Sequence, residues 1–338
     1  MATPEATACF EGDAYNGFCG RRVSSVGVGT YLGNADDETD AAYVDALAAA
    51  FENGCNVIDT AINYRHQRSE RAVGDALARA DIPRDEVFVA TKGGYIPFDG
   101  EVPDDPSAYI REEYVNTGLV PPDETVRANC IAPGFLRDQV RTSLRNLGAD
   151  SLDLYYVHNP ETHLREASRD VFEDRLRRAF EALEEEVDAG RVDAYGVATW
   201  NGFRVPPSRE EHLSVERVVE LARQAAGGES ALAAVQLPYN ARMRGAAEDE
   251  TQTVAGETKT PLGAARELDL YAFTSASLMQ GELAEERADG VAREGAPAQD
   301  ALEFARSTDG VGTALVGCSS REHAEENLAV LDETNDAG

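Results

Sequence analysis

The sequence predicts an α/β fold of one architecture, a single (β/α)8 barrel (the TIM barrel) with a closed parallel sheet. Three observations carry the prediction. Eight short apolar runs recur along the 338 residues. Each is followed by a longer amphipathic stretch of helical character. The runs lack the strict alternation of half-exposed strands, as expected where both faces of a parallel sheet are covered. Barrels of this kind run past ~250 residues as one domain, and 42% apolar residues supply a large core. The domain is therefore expected to span residues 1–338.

The first strand is expected at 23–30, VSSVGVGT. Its GVGT ending is not the G-x-G-x-x-G turn of a doubly wound open sheet, the competing architecture. The remaining strands follow at 56–60, 86–92, 152–158, 192–199, 232–238, 268–274 and 311–317, rich in Val, Leu, Ile and Tyr. Helices are expected between them at 39–53, 68–80, 135–147, 169–189, 211–226, 259–267, 297–307 and 320–331. Asn53-Gly54 and Ala189-Gly190 are good helix stops. Eight alternations close a barrel of right-handed units. Two segments fall outside the repeat. Residues 1–22 are expected to cover the N-terminal mouth as a cap. Residues 93–133 form a long insertion after the third strand, whose aromatics favour an ordered, functional loop.

Charge speaks to the protein's surroundings more than to its fold. Asp and Glu number 62 against 31 Lys and Arg, a net charge of −31, and only Lys92 and Lys259 are lysines. Such a surface repels nucleic acid and anionic membranes, so neither is an expected partner. High salt relieves its self-repulsion. Acidity together with lysine scarcity points to a salt-rich, halophilic cytoplasm. The five cysteines form no C-x-x-C, and the histidines form no H-x-x-x-H, so no disulfide framework and no metal site are expected. No basic-then-apolar leader and no apolar run of ~18 residues are seen, so neither a signal peptide nor a membrane span is expected.

Barrel active sites are built at the C-terminal ends of the strands. There the second strand ends in Asp59, with Tyr64 five residues on; the third ends in Lys92 and the fourth in His158. A phenol is a weak acid near neutral pH. A nearby ammonium stabilises its phenolate, a carboxylate holds the ammonium, and an imidazole orients a carbonyl oxygen. Together they suit protonation of an alkoxide formed by hydride transfer. Singly, each residue has a plain structural reading as a cap, a rim aromatic or a buried histidine. Lys92 is harder to read so, because the chain uses arginine almost everywhere else.

These residues sit in recognisable segments. NGCNVIDTAINYRHQRSERAVGDAL (53–77), FVATKGG (88–94) and SLRNLGADSLDLYYVHNPE (143–161) resemble the motifs of the aldo-keto reductases, with a similarity running from about residue 23 to 331. The resemblance implies NADP or NAD as cofactor, an aldehyde or ketone as substrate, and Asp59, Tyr64, Lys92 and His158 as the catalytic tetrad. It implies cofactor contacts at Gly29, Thr30, Thr199, Asn201, Gln236, Ser275, Gly317, Ser319, Ser320, Glu326 and Asn327. Gln236 would meet the nicotinamide carboxamide, with Thr199 or Asn201 standing where the family has asparagine. Ser275 stands where the family stacks a ring, and Trp200 or Phe273 is the compensating aromatic. Glu326 and Asn327 match an adenine-contacting pair. Family members grip the 2′-phosphate of NADP with a lysine near 317 and an arginine near 323; this chain has Gly317 and His323, with Arg321 as a replacement. NADP is the family default, and NAD is the alternative. Tyr31 and Trp200 are expected to wall the substrate. Two other readings remain open: a Schiff-base aldolase using Lys92 as nucleophile, and a nicotinamide-binding sensor with little turnover. The sequence specifies neither the substrate nor an oligomeric state.

Overall fold

The computed structural model describes residues 1–285, 291 and 296–332. A short helix α1 (Pro4–Thr7) and a hairpin of β1 (Tyr15–Phe18) and β2 (Arg21–Ser24) precede the first barrel strand, β3 (Val26–Gly29). Then come α2 (Asp37–Glu52), β4 (Val57–Asp59), α3 (Arg68–Arg79) and β5 (Phe88–Gly93). An insertion carrying α4 (Pro106–Ile110) and the small hairpin β6 (Thr125–Val126) and β7 (Asn129–Cys130) leads to α5 (Pro133–Leu147). The chain continues through β8 (Leu152–His158), α6 (Arg169–Asp188), β9 (Val192–Ala198), α7 (Val215–Ala226) and β10 (Leu232–Pro238). A second excursion holds α8 (Gly245–Glu248) and the hairpin β11 (Gln252–Val254) and β12 (Glu257–Lys259). Last come α9 (Pro261–Glu267), β13 (Tyr271–Ser275), α10 (Glu282–Glu285), α11 (Pro297–Arg306), β14 (Thr313–Gly317) and α12 (Arg321–Leu328).

The barrel closes in the order β3-β4-β5-β8-β9-β10-β13-β14, with β14 returning to β3, every pair parallel. All seven residues of β8 are buried, which explains why the strands read as continuous apolar runs rather than alternating ones. The interior is filled by Val57, Phe88, Leu154, Tyr156, Phe273 and Leu315, while Ile58, Val89, Tyr155 and Val157 face the helical layer. Gly196 is required here: a Cβ would lie 2.5 Å from the Ala234 carbonyl oxygen and 2.7 Å from the Tyr156 ring.

One expected element divides. The run 23–30 is two strands broken at Ser24-Ser25. The Ser24 hydroxyl donates to the Val26 carbonyl at 2.7 Å, and its backbone N–H donates to Asn56 Oδ1 at 2.8 Å. Local serine bonds of this kind compete with a continuing ladder. The chain turns there, so β2 pairs antiparallel with β1 and only β3 joins the barrel. The hairpin delivers Phe18 against Phe88, Tyr271 and Phe273, with ring centroids 5.4, 4.7 and 5.7 Å away. These rings floor the barrel at the end opposite Asp59, Lys92 and His158.

Helix ends follow their chemistry. Asp36 caps α2 by accepting from the Thr39 N–H, and Gly148 and Gly227 end α5 and α7 with positive φ. The insertion has a small core of its own, in which Ile96, Val120, Cys130 and Phe135 pack with Ile110, Tyr114 and Leu119. No helix among the described residues is long and apolar enough to cross a membrane.

Candidate active site

Register brings the functional side chains to one rim. Gly29 pairs with Asp59, and Asp59 with Ala90, so Lys92 sits one side-chain step beyond the carboxylate on the same face of β5. His158 pairs with Ala198, and Ala198 with Gln236. Tyr64 comes from the turn after β4. Three residues behind it, Arg65, His66 and Gln67, hold φ of 47°, 58° and 71°, a left-handed run that non-glycine residues rarely adopt. Side chains hold it in place. The buried Arg65 guanidinium donates to the Asn34 carbonyl (2.7 Å) and to Asp40 (2.5 Å), and Gln67 donates to the Phe98 carbonyl at 2.9 Å.

Lys92 is wholly buried, and its three ammonium protons have three acceptors. These are Asp59 Oδ1 at 2.5 Å, the Thr60 carbonyl at 2.9 Å and the Tyr64 hydroxyl at 3.2 Å. Burial alone would lower the Lys92 pKa, but Asp59 and Tyr64 outweigh it and hold the ammonium above its usual range. Burial raises the Tyr64 phenol; Lys92 pulls it back down, and Asp59 adds to the rise. The expectation that the ammonium lowers the phenol pKa is met only as one opposing influence, since the balance is upward. His158 is held well below its usual pKa by burial and by Lys92, so the imidazole is neutral. Its ring lies 5.9 Å from that of Tyr64 and 5.1 Å from that of Tyr95.

The tetrad opens into a cleft of about 720 Å³ that runs from Tyr31, Tyr64, Tyr95 and Trp200 to the start of α12. Gly29, Thr30, Thr199, Gln236, Ser275, Gly317, Ser319, Glu326 and Asn327 all line it. Gln236 also donates to Asp59 Oδ2 at 2.7 Å, so it braces the carboxylate. Four expected residues lie elsewhere. Asn201 is outside the lining; its Oδ1 accepts from Arg204 at 3.4 Å. Ser320 is also outside, because its hydroxyl caps α12 through the His323 N–H at 3.2 Å. Phe273 is buried in the barrel floor and lines no part of the cleft. Arg321 is tied to Glu52 and Glu325.

Asn63, Tyr95 and Ser277 are among the lining residues that were not singled out by sequence. Asn63 lies in the quoted segment 53–77 but was given no role, Ser277 was not named, and Tyr95 was covered only as part of the insertion. The Asn63 and Ser277 side-chain oxygens, the Thr199 hydroxyl and His158 Nδ1 are buried at the cleft with no protein partner. Buried polar groups left unpaired are costly. A ligand with amide, hydroxyl and phosphate groups along its length would satisfy them, so the cleft fits an extended dinucleotide.

The insertion reaches the site from behind. Asn129 Nδ2 donates to the His158 carbonyl at 2.9 Å, and His163 Nε2 donates to Asn129 Oδ1 at 3.1 Å. Arg175 donates to the other His163 nitrogen at 3.2 Å. Burial and Arg175 push the His163 pKa down to about 4, so it bridges as a neutral ring.

A closed parallel barrel with a phenol, ammonium, carboxylate and imidazole at its C-terminal rim defines a class: barrels equipped to move a proton at a bound carbonyl. The sequence profile described as the aldo/keto reductase family matches residues 25–255, and the chain belongs to that family. It is 26% identical over 303 residues to an aldo-keto reductase of Mycobacterium avium, covering 89% of this chain and 78% of that protein. It is 27% identical over 188 residues to the aldo-keto reductase YhdN of Bacillus subtilis, over 54% of this chain and 45% of that one. Its fold is similar to that of an aldo-keto reductase from Klebsiella pneumoniae in complex with NADPH (TM-score 0.60, 23% identity, 92% and 87% of the two chains). It is also similar to that of a glycerol dehydrogenase from Gluconobacter oxydans (TM-score 0.64, 18% identity, 96% and 93%).

Proposed function

We propose that the protein reduces an aldehyde or ketone to an alcohol with a nicotinamide dinucleotide, and that Tyr64 is the general acid. The observation that carries the reading is the contact of Lys92 with both Asp59 and Tyr64 at the rim of an extended cleft. When bound, a reduced nicotinamide would supply hydride to the carbonyl carbon. Thr199, Ser275, Gly29, Thr30, Gly317, Ser319, Glu326 and Asn327 would hold the dinucleotide, and Gln236 would act both there and on Asp59. The Klebsiella pneumoniae neighbour is in complex with NADPH, which supports NADP(H) as the dinucleotide.

The side chains perform the remaining work. Neutral His158 donates a hydrogen bond that orients the carbonyl oxygen. Tyr64 gives that oxygen its proton as negative charge develops there. Lys92, 3.2 Å from the phenol, stabilises the phenolate left behind. Asp59 keeps Lys92 charged and aimed. The aldolase reading loses support, because a Schiff base needs a neutral amine. Lys92 has all three protons bonded and a raised pKa. The scarcity of lysine and the net charge of −31 support a salt-rich cytoplasm as its setting.

The test is turnover of reduced dinucleotide against aldehydes and ketones in molar KCl, beside Tyr64→Phe. The substitution is expected to lower kcat by ~10²–10⁴-fold, the usual worth of general acid catalysis, with dinucleotide affinity kept. Tight dinucleotide binding with equal, negligible turnover in both proteins would instead favour the sensor reading.

A further inference from the structure

Tryptophan occurs once in the chain, at position 200, and its indole is 47% exposed on the rim of the cleft. A half-exposed side chain on a loop ordinarily has little beneath it, yet the peptide of Trp200 is gripped from both sides by the side chains of Glu161 and Arg204. Its N–H donates to Glu161 Oε1 at 3.1 Å, and the N–H groups of Asn201 and Gly202 converge on the same oxygen at 3.3 and 3.4 Å. Its carbonyl accepts from Arg204 Nε at 3.2 Å and from a terminal guanidinium nitrogen at 2.8 Å.

Glu161 is an expensive choice for this task. It is 6% exposed, its second oxygen is buried without a partner, and among the described residues it forms no ion pair. A buried carboxylate lacking a cation is disfavoured unless its surroundings are fixed dipoles. Three amides on one oxygen are such dipoles, and they oppose the rise in the Glu161 pKa that burial imposes without cancelling it. Glu161 also lies three residues beyond His158, on the loop that follows β8. One side chain therefore ties the strand end carrying the carbonyl-orienting imidazole to the loop carrying the aromatic wall.

We propose that Glu161 is a positioning residue for substrate: it fixes the Trp200 wall relative to His158 and so selects carbonyl compounds with a planar aromatic substituent. The inference rests on the reductase reading for its kinetic half only. Its structural half is read directly, because Trp200 is the sole source of tryptophan fluorescence.

The test compares the parent with Glu161→Gln, which keeps the shape and an acceptor oxygen but cannot ionise, and with Glu161→Ala. Trp200 emission anisotropy and acrylamide quenching report the wall, and KM and kcat are measured for an aromatic and a short aliphatic aldehyde. In Glu161→Gln the anisotropy is expected to fall and the aromatic KM to rise about fivefold, with kcat changed less than about twofold, as for loss of binding shared by ground and transition states. The aliphatic KM should hold. Glu161→Ala should exceed these effects; if it does not fold, Glu161→Gln decides alone. An unmoved indole, a loosened indole with unchanged KM, or equal losses on both aldehydes would each overturn the proposal. If the parent reduces no carbonyl, the reductase reading fails by itself. Quenching of Trp200 by a bound aromatic aldehyde, weakened in the variant, then replaces KM as the arbiter.

Discussion

At the scale of single residues, the site is a set of protonation states held by burial. Burial raises Tyr64 despite Lys92, so the phenol stays protonated through neutral pH and is lost as an acid only on the alkaline side. Burial and Lys92 lower His158, so the imidazole is already neutral well below its ordinary titration. The reductive kcat/KM is therefore expected to be flat across neutrality. It should have no break near the ordinary histidine pKa of ~6.5 and an alkaline limb only above ~10. A pH profile checks this, and a break near ~6.5 that vanishes in His158→Asn would contradict it. The four residues were legible in sequence because each stands at, or just after, a strand end and only together make chemical sense. Asn63 and Ser277 were not. A buried polar atom without a partner is a property of the folded neighbourhood, and one-letter codes do not carry it. Ser320 and Asn201 show the reverse: hydroxyl and amide groups near a binding loop are as readily used to cap or brace the backbone.

At the scale of elements, the barrel strands and their helices were readable because a two-sided strand writes itself as an uninterrupted apolar run. The hairpins were not. β1 and β2 span four residues each, and β11 and β12 three each, too short for a periodicity to register. The division at Ser24-Ser25 depends on Asn56, which is distant in sequence. The consequence of the first hairpin is a stability contribution that its short strands hide. Phe18 is 4% exposed among three aromatic rings. Phe18→Ala should destabilise the fold by about 3 kcal/mol, as for other buried Phe→Ala changes. Denaturant unfolding would measure it. Because the rings lie at the end of the barrel away from the tetrad, kcat should be little changed where the variant remains folded.

At the scale of the whole molecule, charge decides. The two lysines are both paired, Lys92 with Asp59 and Lys259 with Glu257 and Glu267. Many arginines are committed to local carboxylates, as Arg177 and Arg178 are to Asp174. These pairs leave a net charge of −31 to repel itself across the surface. Raising salt from ~0.1 M to ~1 M shortens the screening length from ~10 Å to ~3 Å. The melting temperature should therefore climb with KCl over that range. A melting temperature that is flat or falls would remove the case for a salt-rich setting.

The cleft carries the same arithmetic to its ligand. Among the described residues, the acidic side chains lining it are Asp59 and Glu326, and no lysine or arginine lines it. A nicotinamide dinucleotide is itself an anion, so it approaches a like-charged body, and the described residues that line its cleft offer it neutral hydroxyls, amides and the backbone. Attraction between a cationic site and a phosphate weakens as salt rises, because the added ions screen it. Here added salt weakens a repulsion instead of an attraction, and calorimetric titration should find the dinucleotide bound more tightly in concentrated KCl than in dilute buffer.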